Sequence, residues 1–280
     1  VKFHFLDRNN GKGLIGMSSA TGLENALIYR QDAVNIDQLR KVIMIPNNGT
    51  IAAQRVTFDL PDDAYTNIKN YFAERFSVSA LYQLGGNDST SISYDGSTYT
   101  TTERQELLGH NTGVAPSSNQ HIFAGSGNTT DALVNADSTA TFDLTLIDNA
   151  EASAAKNRPY IRPIEGKPYK YVCYVHVDGY KQMIQDTAGP IQFRDIYLNQ
   201  ISAGQLKDAE IERSIIYSQT KIVPTDKVSP GVDSNTEQAN VKRAVFCGQE
   251  AGVLAFGKGY SAGGDTTPGF SFEEDYKDVN

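Results

Sequence analysis

Apolar positions along the chain change period several times, and each change predicts an element. Residues 1–6 alternate as a strand, with Phe3 and Phe5 on one face, and residues 7–16 are rich in turn formers. A short basic and apolar strand over 36–43 precedes a turn at Asn47-Asn48-Gly49. From Pro61 the period becomes helical and stays so to Leu84. Pro61 suits the first helical position, and Asp62 and Asp63 place negative charge at the positive end of the helix dipole. Tyr65, Ile68, Phe72 and Phe76 form one apolar stripe at three- and four-residue spacing, and they are the predicted core of the helix. Tyr71, Val78, Leu81 and Tyr82 fall on neighbouring faces, and Gly85-Gly86 ends the run. At ~1.5 Å per residue this is a rod of ~35 Å, a strut to be packed against rather than a carrier of chemistry.

Beyond the helix the pattern weakens. Residues 87–140 are polar, rich in Gly, Ser, Thr and Asn, and read as a long loop of the kind that is functional or ordered by partners. Helical periodicity returns over 142–155, and a run of β-branched and aromatic residues over 169–177 predicts a strong strand. A short helix over 178–185, capped by Asp178, and a strand over 214–223 follow. Small residues at Ala244, Gly248, Ala251, Gly252 and Ala255 read as the close-packing face of a helix over 240–256. Alternating aromatic and polar residues over 269–276 predict a last strand, and no internal repeat is visible.

Composition narrows the function. The 280 residues are 39% hydrophobic and 21% charged, enough for a sizeable core in one or two domains. No apolar run approaches the ~20 residues of a membrane span, and no signal-peptide pattern opens the chain. The strand pattern starting at Val1 predicts residues upstream of it. A formal net charge of −8 argues against a sequence-reading nucleic-acid protein, which needs a basic face. Cys173 and Cys247 lack framework spacing and are expected to be reduced, buried, small apolar groups.

Candidate chemistry fails on geometry. Gly11-Lys12-Gly13-Leu14-Ile15-Gly16 matches the dinucleotide fingerprint, with Asp32 or Asp37 about 20 residues on. The following Ser18-Ser19-Ala20-Thr21-Gly22 delays any helix past the pyrophosphate, and alternating strand–helix units are missing, so a flexible hinge is the better reading. Asp7-Arg8-Asn9-Asn10-Gly11 starts like a calcium loop but has Lys12 and Ser18 at the sixth and twelfth positions. Cys173 and His176, three apart on a strand, face opposite ways, and His4, His110, His121 and His176 share no ligand spacing. Nucleophile motifs are absent, and the acid pairs Asp62/Asp63 and Glu273/Glu274 lack the geometry of a general acid/base pair. The expectation is no catalytic, cofactor or metal site, and no enzyme.

What remains is similar to a family. Gly22-Leu23-Glu24-Asn25-Ala26-Leu27 with Asp32-x-Val34-x-Ile36-Asp37-Gln38-x-Arg40, and Gln54-Arg55-Val56 leading into the long helix, come first. Arg158-Pro159-Tyr160-Ile161-Arg162-Pro163-Ile164 and Tyr171-Val172-Cys173-Tyr174-Val175-His176 follow, then Ala244-Val245-Phe246-Cys247-Gly248-x-Glu250-Ala251 and Phe272-Glu273-Glu274-x-Tyr276. In order and spacing these segments resemble the major capsid proteins of tailed bacteriophages, of the podophage-type group with the HK97-like fold.

That resemblance implies an α+β subunit with an extended loop at 1–43, a peripheral domain at 44–164 and 265–280 carrying a spine helix at 61–84, and an axial domain at 165–264. It implies self-assembly, as hexamers and pentamers, into an icosahedral shell around double-stranded DNA. Phe3, Phe5, Arg8, Lys12, Arg30 and Arg40 are then candidate inter-subunit contacts. Portal and scaffold or decoration proteins are implied partners, DNA lies near without sequence-specific binding, and no membrane is involved. The location is the virion, after assembly in the host bacterial cytoplasm. The rival readings are a tail or decoration subunit, and, behind it, a nucleotide-dependent oxidoreductase built on residues 11–16.

Overall fold

The computed structural model describes residues 2–6, 29–35, 39–44, 60–109, 111, 113–156, 161–187, 192–202 and 214–255. The chain divides into two compact units, Val1–Asp37 with Val253–Asn280, and Gln38–Gly252. In the first unit the strands β1 (Lys2–Leu6) and β2 (Tyr29–Ala33) pair as an antiparallel ribbon. Their register runs from Lys2 opposite Ala33 to Leu6 opposite Tyr29, so Phe3 and Phe5 stand opposite Asp32 and Arg30. The strand expected at the start of the chain is present. The turn at Asn47-Asn48-Gly49 and the last strand at 269–276 lie outside the described residues, and the strand expected over 36–43 is not formed in its described part, 39–43.

The second unit is organised by α1 (Leu60–Leu84), with Asp62 and Asp63 in its first turn as read from the sequence. Its end is a Schellman motif: the Asn87 N–H donates to Tyr82 O, the Gly86 N–H donates to Gln83 O, and Gly86 takes φ +64°. Which face is buried differs from expectation. Tyr65 is 48% exposed, and Ile68, Phe72 and Phe76 are only half-buried, whereas Arg75, Val78, Leu81 and Tyr82 are buried. Both sets have helical spacing, so periodicity alone does not choose between them. The choice is made by what covers the helix, and its buried cover is concentrated on the C-terminal third.

Part of that cover comes from the stretch read as a loop, which is a correction. Residues 87–140 contain a hairpin, β3 (Ile92–Tyr94) with β4 (Ser97–Tyr99), and two short helices, α2 (Arg104–Leu108) and α3 (Asp131–Ala136). Asp95 and Gly96 turn the hairpin with φ of +50° and +71°, the conformation that two-residue hairpin loops require. Val78, Tyr82, Ile92, Leu107 and Leu108 then close one core cluster on α1.

The main sheet has four strands in the order β10-β5-β7-β6: β5 (Tyr171–His176), β6 (Ile215–Tyr217), β7 (Thr220–Thr225) and β10 (Val245–Cys247). β5 and β7 are parallel, which demands a crossover. The helices α5 (Val177–Gln185) and α6 (Phe193–Ser202) lie in that connection and, with α4 (Leu144–Lys156), cover one face. Ile147, Cys173, Val175, Tyr180, Met183, Phe193, Ile215 and Ile222 are the core there. On the other face Val245 and Cys247 pack with Val228 and with Leu81 of α1. Cys173 and Cys247 are thus buried free thiols on opposite faces of one sheet, the burial expected of them. Burial pushes Cys173 up to about 12 and Cys247 to about 11, so both stay protonated at neutral pH.

Three further expectations are corrected. No helix forms over 240–255: β9 (Thr236–Lys242), which pairs with β8 (Pro230–Asp233), and β10 occupy it. Of the small residues that suggested a helix face, Gly248 serves a different close approach, because a Cβ on it collides with Arg162 O and the Ile161 side chain. The strand expected over 214–223 is a tight hairpin, β6 and β7, turned at Ser218-Gln219. The cap of α5 is His176, whose ring accepts the Asp178 N–H, rather than Asp178.

Candidate functional site

The most elaborate polar arrangement among the described residues is a clamp around Arg243, just after β9, at the glycine end of α1. Its side chain is 7% exposed, and its guanidinium reaches three separate segments. Nε donates to Asp131 Oδ2 at 2.8 Å, and one terminal nitrogen donates to Gly85 O at 3.0 Å and Gly86 O at 2.8 Å. The other donates to Val232 O of β8 at 2.9 Å. These carbonyls at Gly85 and Gly86 belong to a helix terminus, where backbone acceptors are left over and a cation is favoured by the dipole.

Asp131 is 3% exposed at the start of α3, where Thr130 is the N-cap. It also accepts the Val232 N–H at 2.8 Å, and His121 Nε2 lies 3.3 Å from its second oxygen. Burial alone pushes this carboxyl up. The His121 hydrogen bond, the Arg243 charge and the Val232 N–H outweigh that and hold it below its ordinary value, so it is ionised at neutral pH. Alongside, the buried Asn87 amide donates to Ser229 Oγ at 3.0 Å and Glu237 Oε1 at 3.2 Å, and its carbonyl oxygen accepts the Ser89 N–H. The helix end, α3 and the β8–β9 hairpin are therefore pinned to one another through side chains rather than through apolar contact alone.

A second polar seam runs along α1. Arg75, 5% exposed, donates to Tyr99 Oη at 3.1 Å and Glu106 Oε1 at 3.0 Å and lies over the Tyr71 and Tyr99 rings. A third fixes the β6–β7 turn to α4: Glu151 accepts from Ser218 Oγ, the Gln219 N–H and Thr220 Oγ1. The outer edge of β6 is closed by the Gln200 amide, which bonds both Ile216 O and Ile216 N and so blunts an open strand edge.

None of these arrangements has the form of a reaction centre. Each charged group is committed to protein partners, and no group of three or more His, Cys, Asp or Glu able to hold a metal occurs among the described residues. A shallow apolar groove lined by Tyr180, Ile184, Arg194, Tyr197 and Leu198 lies between α5 and α6. Among the described residues no helix is long and apolar enough to cross a membrane.

The residues proposed from sequence are placed as follows. Phe3, Phe5 and Arg30 lie on the β1–β2 ribbon, Arg40 is exposed, and Arg8 and Lys12 lie outside the described residues. Tyr65, Ile68, Phe72 and Phe76 share one stripe of α1, away from its most buried face. Sequence reading gave no structural role to Arg243, Asp131, His121 or Asn87. The only signal was local: Thr130-Asp131 is a good helix start, and Asn87 directly follows the Gly-Gly stop. Nothing in the sequence joins positions 131 and 243.

The model of the family described as phage capsid protein matches residues 1–278. No curated protein matches the chain. Among solved structures, the capsid of Ralstonia phage GP4 is similar over 92% of this chain and 72% of that one, at 19% identity and a TM-score of 0.65. The capsid of cyanophage Pam1 aligns over 81% of this chain and 61% of that one, at 16% identity and a TM-score of 0.47. At such identities the first likeness speaks for a shared fold.

Proposed function

The chain belongs to the phage capsid protein family, and from that premise we propose that it is the repeating tile of an icosahedral shell enclosing the double-stranded DNA of a tailed phage. Its standing as a capsid shell protein, a structural component of the virion, follows from the family match over residues 1–278, which is the observation that carries this reading. The mixed helix-and-sheet architecture fits it.

The finer reading is an HK97-like subunit with an extended loop at 1–43, a peripheral domain at 44–164 and 265–280, and an axial domain at 165–264. The strut α1 supports the peripheral assignment and the four-stranded sheet with its crossover helices the axial one. The Arg243 clamp ties the two, since Gly85, Gly86 and Asp131 fall in 44–164 and Val232 and Arg243 in 165–264. Closed shells require one surface to serve several symmetry-related contacts. Each contact is modest because association first offsets lost freedom, so a tile gains from internal rigidity. Polar pins such as Arg243–Asp131 and Glu151 supply it. The ribbon residues Phe3, Phe5 and Arg30, together with Arg8, Lys12 and Arg40, are the proposed inter-subunit contacts, made to further copies in hexamers and pentamers.

A net charge of −8 keeps free subunits soluble and limits their grip on packaged DNA. Assembly in the bacterial cytoplasm with portal and scaffold or decoration proteins completes the proposal. Deleting residues 7–19 tests the arm: the variant folds, by circular dichroism, yet sediments as unassembled protein. Normal particles from that deletion defeat the arm assignment.

A further inference from the structure

The first turn of α5 hangs on one atom with two incompatible contacts. His176 Nδ1 accepts the Asp178 N–H at 3.2 Å, and the same nitrogen lies 3.1 Å from Asp178 Oδ2. The first contact needs a lone pair on Nδ1, and the second needs a proton there. A single ring nitrogen serves only one of them at a time. Protonating the ring puts hydrogens on both nitrogens, so the charged state keeps the ion pair and gives up the cap.

The turn that depends on this cap is weak by composition. Val177, Asp178 and Gly179 are all poor helix formers. Gly179 is also hemmed in, since a Cβ there comes within 3.2 Å of Val175 Cγ1 and 3.4 Å of Phe142 Cβ. The later part of the helix is held differently, through Tyr180 and Met183 in the core cluster. Loss of the cap therefore loosens the first turn and leaves the rest in place.

We propose that His176 is a pH-operated cap: the neutral ring holds the first turn of α5, and the protonated ring releases it in exchange for an ion pair with Asp178. The charges around the ring come from three segments. Asp178 on α5 and Asp226 after β7 favour the imidazolium, while Lys242 at the end of β9 opposes it. Burial, the largest influence, joins Lys242 in favouring the neutral ring, and the balance sits below the ordinary 6.5. The cap is thus intact at neutral pH and is released on the acid side. The inference is independent of the shell reading, since it concerns the order of one helix within the subunit.

Residue-resolved hydrogen exchange on the full chain at pH 7.5 and pH 5, corrected for intrinsic rates, tests it. At pH 5 the amides of Asp178 and Tyr180 lose protection, by at most the roughly fivefold that a capping contact is worth, while residues 183–185 are unchanged. In His176→Asn, which caps without titrating, protection of Asp178 and Tyr180 is the same at both pH values. Equal protection of the parent chain at both pH values overturns the proposal, and so does an acid-induced loss that persists in His176→Asn.

Discussion

Replacing Arg243 by methionine keeps most of the volume and removes every donor of the clamp. Asp131, 3% exposed, then keeps only the Val232 N–H and His121, and the carbonyls of Gly85, Gly86 and Val232 lose their guanidinium partner. Breaking a buried pair from one side costs about 3–5 kcal/mol, because an uncompensated charge is left behind. Against a typical total of ~5–15 kcal/mol this is a large fraction. At roughly 2–4 °C per kcal/mol for a chain of this size class, the midpoint falls by roughly 6–20 °C.

The assay is urea and thermal unfolding of the unassembled chain followed by circular dichroism, applied to Arg243→Met, Asp131→Leu and the double variant. Removing both charges relieves the stranded one, so the double variant is more stable than the sum of the singles by about 0.5–3 kcal/mol. A loss below about 1 kcal/mol for Arg243→Met, or strict additivity across the cycle, refutes the claim that this pair welds the helix end to α3 and the β8–β9 hairpin.

The remaining expectations are simpler to read. Val78→Asp, at a fully buried position of α1, prevents folding, whereas Tyr65→Asp, at a position 48% exposed, leaves the chain folded by circular dichroism. Gly86→Ala forces a side chain into φ +64° and sets its Cβ 2.5 Å from Val114 O, so it lowers stability by more than the ~1 kcal/mol of the backbone term alone. Asp131 is held below its ordinary value in the folded chain, so its contribution is present above pH 3.8 and is lost as the pH falls through its lowered value. Acid unfolding of Asp131→Asn lacks that component. Glu151→Ala frees Ser218, Gln219 and Thr220 and costs about 1–3 kcal/mol, measured by urea unfolding.

Local signals in the sequence located elements well where one residue type decided the backbone. Pro61 with Asp62 and Asp63 marked the start of α1 within a residue, and Gly85-Gly86 marked its end because only glycine takes the left-handed cap without strain. The strand over 171–176 was legible for its β-branched and aromatic run. What failed was contact between distant segments. Tyr65, Ile68, Phe72 and Phe76 and the buried Val78, Leu81 and Tyr82 have equivalent periodicity, and the segments that cover one set come from residues 92–108, 228 and 245–247.

Asp95-Gly96, with Ile92 and Tyr94 alternating before it and Tyr99 after it, is a hairpin signal that the polar composition of the surrounding stretch outweighed in the reading of 87–140 as a loop. Gly248 looked like part of a helix face because close approach selects small residues whatever element makes it. The clamp left no trace, since a lone arginine among β-strand residues carries no mark of a partner more than a hundred positions away.

The central claim is that the working parts of this chain are its outer surfaces, held in shape by a strut and its buried pins. Electron microscopy of the purified full chain at high concentration, with sedimentation velocity on the same sample, tests it most directly. The account predicts rings of copies or closed shells. A solitary, monodisperse monomer under all assembly conditions contradicts it.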